Sequence, residues 1–220
     1  MTIGKPTISV IGGTGKEGTG LALRWARAGY QVIIGSRQAE KAVLAAQAIN
    51  HQLGVNSTLG LENAQAAELA EICVLTIIPA AHDQTVEYLK PKLMGKIVVD
   101  ATSRVDYLDP QPPEPPSAAQ RAQDILGSGA KVVAAFQNVP AKLLKQTIDE
   151  PLEADVLVCS DDHEAAEKVV ELAHAAGLSG YYAGRLANAI VVEGLTSILI
   201  SMNKYYKQKN ASIKVTGIAQ

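Results

Sequence analysis

Short apolar runs rich in β-branched residues alternate with longer stretches of helical periodicity through the first hundred positions. Thr7 to Gly12, Gln31 to Gly35, Ser57 to Gly60, Ile72 to Ile78 and Ile97 to Asp100 read as strands, the third of them weakly patterned. Between them, Lys16 to Ala28, Ala39 to Gln52, Asn63 to Leu69 and Ala81 to Leu93 read as helices. Such alternation predicts successive βαβ units. Right-handed crossovers then assemble them into an open, doubly wound parallel sheet with helices on both faces.

The pattern changes after residue 108. Asp109 to Pro116 is dominated by proline, whose fixed φ and missing N–H exclude both helix and central strand, and a stiff surface loop is expected. Ser117 offers an N-cap for a helix through Ile125, Lys131 to Phe136 and Asp155 to Cys159 read as strands, and Asp161 and Asp162 open a helix over Glu164 to Ala176. A last helix from Arg185 to Tyr206 is apolar on more than one face. Ile190, Val191, Leu195, Ile198, Leu199 and Met202 predict burial at a homodimer interface. The expected organisation is a nucleotide-binding domain over residues 1–145 and a small C-terminal α/β annex over 146–220 that ends in the dimerisation helix.

Composition narrows the function classes. Of 220 residues 47% are hydrophobic, yet only one is phenylalanine and one tryptophan, so the core must be aliphatic, as suits a buried parallel sheet. A formal net charge of -2 gives no field to draw in a polyanion, and nucleic acid is not an expected partner. Cys73 and Cys159 sit in apolar strand-like runs and predict no disulfide framework. Together with a start, Met1 to Pro6, too short for a signal-peptide core, they point to the cytoplasm. The apolar stretch Ala187 to Met202 is broken by Asn188, Glu193, Thr196, Ser197 and Ser201, and no membrane span is expected there.

The chemistry concentrates at the turn after the first strand. Gly13, Gly15 and Gly18 form a G-x-G-x-x-G string that closes an apolar strand and opens a helix with Leu21, Leu23, Trp25 and Ala28 on its apolar positions, the Rossmann-type context for a dinucleotide. Gly13 is expected to make the tight turn, Gly15 to let the backbone approach a pyrophosphate, and Gly18 to let helix and strand pack closely. At the end of the second strand an acidic residue would select NAD through the ribose hydroxyls; Gly35-Ser36-Arg37, with Lys41 a turn later, suits the 2′-phosphate of NADP instead.

In such sheets ligands lie beyond the carboxyl ends of the strands. Ile78, Pro79 and His82 after strand four, Asp100 to Ser103 after strand five, and Gln137, Asn138, Val139, Pro140 and Ala141 after strand six are therefore expected around the nicotinamide. Pro79 and Val139-Pro140 offer flat apolar contacts, and Gln137 and Asn138 can hold a carboxamide or a second substrate. Asp161-Asp162-His163-Glu164 lacks a second His or Cys at ligand spacing, so capping accounts for it better than metal binding. No catalytic side chain is singled out.

These residues resemble a known family. Gly12-Gly13-Thr14-Gly15, Gly35-Ser36-Arg37 with Lys41, Ile78-Pro79-Ala80-Ala81-His82, Val139-Pro140-Ala141, Cys159-Ser160-Asp161-Asp162 and Glu193-Gly194-Leu195-Thr196 are similar, in order and spacing over nearly the whole chain, to the NADPH-dependent reductases of the deazaflavin coenzyme F420. The resemblance implies a dimer and hydride transfer between nicotinamide C4 and deazaflavin C5. It also implies that Thr14, Gly15, Lys16 and Glu17 hold the pyrophosphate, Ser36, Arg37 and Lys41 the 2′-phosphate, and Ile78, Pro79 and Ala141 the nicotinamide. Hydride transfer between rings depends mainly on alignment and exclusion of water, which fits the lack of an obvious catalytic group. FAD or FMN as acceptor, a small imine or carbonyl substrate, and an NADPH sensor without turnover stay open as alternatives.

Overall fold

Six strands, β1 (Ile8–Ile11), β2 (Val32–Ser36), β3 (Thr58–Glu62), β4 (Ile72–Leu75), β5 (Ile97–Asp100) and β6 (Lys131–Ala134), pair in parallel in the order β3-β2-β1-β4-β5-β6. This is a computed structural model describing residues 4–146 and 148–218; Met1 to Ile3 of the leading segment, Thr147 and the last two residues lie outside the described part. The crossovers carry α1 (Lys16–Arg27), α2 (Ala39–Leu53), α3 (Asn63–Leu69), α4 (His82–Leu93) and α5 (Ala118–Leu126). Every residue of β1, β2, β4 and β5 is buried, which is why these strands read as unbroken apolar runs rather than alternating ones. The strand order reverses between β1 and β4, and a crevice opens there beyond the carboxyl ends.

A second βαβ unit follows. β7 (Asp155–Val158), α6 (His163–Ala175) and β8 (Ser179–Tyr182) form a two-stranded parallel sheet, tied to the first by an isolated antiparallel bridge between Ala134 and Cys159. β8 is absent from the sequence reading because Ser-Gly-Tyr-Tyr contains no aliphatic residue; its pairing with β7 makes it a strand. A 3₁₀ turn, Leu186–Asn188, leads into α7 (Ala189–Tyr205), so the last helix begins slightly later than its pattern predicts.

One apolar cluster runs from β1 and α1 through Phe136 to β7 and α6. Trp25 is its hinge: fully buried, it donates its indole N–H to Leu172 O at 2.8 Å and meets Phe136 edge-on at 5.8 Å between centroids. Beside it Arg24 is buried too. Its guanidinium donates to the carbonyls of Leu144 (2.9 Å), Gln146 (2.8 Å), Ala176 (3.0 Å) and Glu150 (3.4 Å), pinning the segment after β6 and the end of α6 onto α1.

Two strands stop earlier than their apolar runs. β4 ends at Leu75, since Thr76 and Ile77 leave the sheet and Pro79 opens a 3₁₀ turn. β6 ends at Ala134, because Phe136 turns the chain with φ 75°, a strained value for a bulky residue, and so aims the following segment across the crevice.

By length and composition the span Leu186–Tyr205, in which 18 consecutive residues reach a mean hydropathy of 1.4, is apolar enough to cross a membrane. At its centre, however, Glu193 is 1% exposed, and its carboxylate accepts from Arg104 N and Nε (each 2.8 Å) and from Ala118 N (2.9 Å). Val192, Thr196 and Leu199 are buried on that same side by this chain itself. Leu199 is therefore core, whereas Val191 (65% exposed), Ile198 (53%) and Met202 (44%) form an open apolar face.

Candidate active site

Two cavities lie along the carboxyl ends of the strands and share Gly15, Thr76, Ile77 and Ile78, so they are the two ends of one groove. The smaller, about 330 Å³, is bounded by Thr14, Ser36, Arg37 and Lys41. The larger, about 640 Å³, is bounded by Lys16, Glu17, Pro79 and the segment Gln137, Asn138, Val139, Pro140 and Ala141. Of the residues expected at the strand ends, Gly13, His82 and Asp100 line neither cavity.

The glycines divide their work differently from expectation. The left-handed turn falls on Gly12, φ +69°, not on Gly13. A Cβ on Gly13 would stand 2.5 Å from Val10 O, and one on Gly18 would stand 2.6 Å from Gly13 Cα and 2.7 Å from Thr76 Oγ1, so both glycines serve the close packing of α1 on the sheet. A Cβ on Gly15 would meet nothing within 4 Å; its face of the backbone is open to the groove. Asn63 pins the loop from β3's side, its Oδ1 accepting from Gly12 N at 3.2 Å.

Helix capping marks the anion end. Glu62, Ser117 and Asp162 cap α3, α5 and α6 with side-chain oxygens, but α1 starts at Gly15 and α2 at Gln38 with no side-chain cap. The N-caps of α1 and α2, Gly15 and Gln38, border the smaller cavity; α4 and α7 also begin without a side-chain cap. Unsatisfied N–H groups and the positive ends of two helix dipoles favour anions there, and Arg37 and Lys41 add formal charge. Ser36 Oγ accepts from Gln38 N at 3.1 Å, leaving its hydroxyl hydrogen available to an oxyanion.

The larger cavity has another character. Thr102 Oγ1, Ser103 Oγ, Gln137 Oε1 and Asn138 Oδ1 are buried without a protein partner, and all four residues line it. The two amides are held by their nitrogens: Gln137 Nε2 donates to Asp100 O at 2.9 Å, and Asn138 Nδ2 to Val192 O at 2.9 Å and to Thr196 Oγ1 at 3.2 Å. A buried polar atom left unpaired costs about 1–3 kcal/mol, so a ligand with amide and carbonyl groups would recover what the protein leaves unsatisfied. Pro79 and Pro140 contribute apolar wall.

His82 faces neither water nor the groove. At 2% exposure its Nε2 bonds Asp100 Oδ2 at 2.7 Å and its Nδ1 bonds Asp83 Oδ1 at 2.8 Å, while Arg121 pairs with Asp83 from outside. Burial would lower the imidazole's pKa, but the bonds and charges of Asp100 and then Asp83 outweigh it and raise it to about 9. Its ordinary value is about 6.5, so the stability this ion pair supplies is complete below that pH and is lost as pH rises through 9. Between those limits wild-type protein should lose on the order of 2–3 kcal/mol that a His82→Gln variant does not, measured by urea unfolding across pH. Parallel pH profiles would contradict the charged assignment.

Sequence reasoning missed Tyr107, Asn203 and Lys209, which close the larger cavity from the loop after β5, from α7 and from the segment after it. No spacing in the sequence connects them to the glycine loop; only the tertiary fold does. A glycine cradle at the switch point, a cavity beyond β2 lined by Arg37 and Lys41, and an adjoining polar cleft give the chain the form of a dinucleotide-binding α/β protein.

Comparison with known proteins sharpens that class. Residues 7–104 match the family described as NADP oxidoreductase, coenzyme F420-dependent. The F420-dependent NADP reductase of Methanothermobacter marburgensis is 40% identical, with 97% of this chain and 99% of that one aligned, and that of Methanocaldococcus jannaschii is 37% identical over 96% and 98%. The chain belongs to the F420-dependent NADP reductase family. A crystal structure from Arthrobacter sp. FB24 superimposes with a TM-score of 0.81 at 24% identity, covering 97% of this chain and all of that one, and supports the fold.

Proposed function

We propose that this protein is an oxidoreductase that moves a hydride between NADP(H) and coenzyme F420. The observation that carries the reading is a single groove joining an anion pocket at one end to a cleft with four unpartnered polar atoms at the other. When bound, the two coenzymes supply the redox chemistry, a hydride passing between nicotinamide C4 and deazaflavin C5. The protein's part is to bind, align and keep out water. Ser36, Arg37 and Lys41 hold the 2′-phosphate; Thr14, Gly15, Lys16, Glu17 and the α1 N-terminus hold the diphosphate. Ile78, Pro79 and Ala141 flank the nicotinamide, and the free oxygens of Gln137 and Asn138 accept from its carboxamide. Residues 1–145 act as the NADP domain and 146–220 as the annex. The open face of Val191, Ile198 and Met202 makes the enzyme a homodimer, expected in the cytoplasm; a monomer by light scattering at micromolar concentration would contradict this.

Stereospecifically deuterated NADPH, incubated anaerobically with F420, should deliver its label to the deazaflavin C5. Solvent hydrogen at that carbon, or no reaction, would overturn the proposal. Charge-assisted bonds to phosphate are worth roughly 1.5–3 kcal/mol each, so Arg37→Ala should weaken NADPH binding by about tenfold or more and leave NADH little changed. Equal wild-type affinities for NADPH and NADH by fluorescence titration would count against the 2′-phosphate pocket.

A further inference from the structure

Two side-chain amides border the larger cavity, and the protein fixes which end of each is left free. Gln137 and Asn138 are only 8% and 5% exposed, so neither can trade a lost partner for bulk water. Gln137 Nε2 donates to Asp100 O at 2.9 Å, and Asn138 Nδ2 donates to Val192 O at 2.9 Å. A main-chain carbonyl can only accept, so turning either amide end for end would set two oxygens against each other.

Thr196 settles the second hydrogen of Asn138. A hydroxyl has a single hydrogen, and Thr196 gives its own to Gln137 O at 3.1 Å, which leaves it an acceptor toward Asn138 Nδ2 at 3.2 Å. Val192 and Thr196 stand at i and i+4 on α7, so one face of that helix takes both hydrogens of the Asn138 amide nitrogen. The same hydroxyl braces the main chain at Gln137, and the two amides are held as one unit.

What a ligand meets is therefore a fixed pattern. Gln137 Oε1 and Asn138 Oδ1 present lone pairs alone, whereas Thr102 Oγ1 and Ser103 Oγ, equally without a protein partner, are hydroxyls that can turn a hydrogen toward a ligand. A primary carboxamide is the complement: its NH2 carries two donors and its carbonyl accepts, all on one planar group. An acetyl group on the same ring keeps the carbonyl but sets a methyl against the amide oxygens, and a carboxylate sets a negative charge against them. A thioamide keeps both N–H donors.

We propose that Thr196 is a positioning residue that keeps the Asn138 oxygen turned to the cleft, and that the oxygens of Gln137 and Asn138 select the nicotinamide by the N–H hydrogens of its carboxamide. This rests on NADP(H) occupying the groove as read above; it adds which atoms of the nicotinamide are recognised and which residue enforces the choice.

Oxidised coenzymes that differ only in the ring substituent test it by calorimetric titration. Binding is read rather than turnover, because the substituent also changes the reduction potential of the ring. NADP+ and its thionicotinamide analogue should bind within a few-fold of each other. The 3-acetylpyridine and nicotinic acid analogues, which carry the same phosphates, should bind about tenfold or more weakly, since each leaves buried acceptors unpaired. Thr196→Val keeps the shape and removes the hydroxyl; it should weaken NADP+ and leave the acetylpyridine analogue little changed, closing most of the gap. Thr196→Ser should restore it, which a loss of packing alone would not predict. Wild-type protein that binds the acetylpyridine analogue as tightly as NADP+ would overturn the selection by N–H, and this comparison needs no variant to fold. A gap that persists in Thr196→Val would overturn the role of Thr196. Should NADP+ itself fail to bind, the functional reading falls; should it bind without discrimination, only the present inference does.

Discussion

Pro140→Arg is expected to reduce turnover by at least ~100-fold while leaving NADPH affinity within a few-fold of wild type. Reacting carbons must approach within about 3–3.5 Å, and displacing one ring by about an ångström costs on the order of a hundredfold. Pro140 lies on the strained turn begun at Phe136, half-buried at the wall of the larger cavity, so a long cation there would project into the space the rings require. The anion pocket is at the other end of the groove and does not include it. Val139 is the poorer probe, since at 7% exposure it belongs to the apolar core, and a charge there would disturb folding as well. Steady-state rates set beside fluorescence titration decide the matter; unchanged turnover, or affinity falling in parallel with it, would remove Pro140 from the cleft wall.

Arg24→Met should destabilise the protein by about 3–5 kcal/mol, lowering the thermal midpoint by roughly 10 °C. The guanidinium donates to four carbonyls from two chain segments, the stretch after β6 and the end of α6, and an apolar side chain of similar length leaves them without their donor. Arg24→Lys should recover little, since one ammonium cannot reproduce a planar fork of donors. A loss below about 1 kcal/mol in urea unfolding would mean that the carbonyls are readily rehydrated.

The alternation of β1 to β5 with their helices was legible because parallel strands buried on both faces leave aliphatic runs, and the crossover rule limits how they can assemble. The lining of the smaller cavity was legible because each half of it is local: Gly12 to Gly15 fall in one turn, and Ser36, Arg37 and Lys41 within six positions of the chain. So were the caps at Ser117 and Asp162, each bonding a backbone N–H three residues on. What escaped is long-range. His82 looked like a cleft residue from its place after β4, yet Asp100 on the neighbouring strand draws its ring inward. Glu193 and Arg104 are 89 positions apart, and nothing in either's surroundings predicts the other. Tyr107 and Lys209 reach the cleft only because the loop after β5 and the C-terminal segment fold back over it.

The Glu193 carboxylate grips both Arg104 and the backbone of Ala118, so the chain between them begins and ends at one anchoring point on α7. That makes the proline-rich stretch a removable module. Its outer part, from the 89% exposed Leu108 onward, can be lengthened, shortened or exchanged without moving the two anchored ends. Changes in the length of this one insert can then accumulate while the groove beyond the strand ends stays as it is.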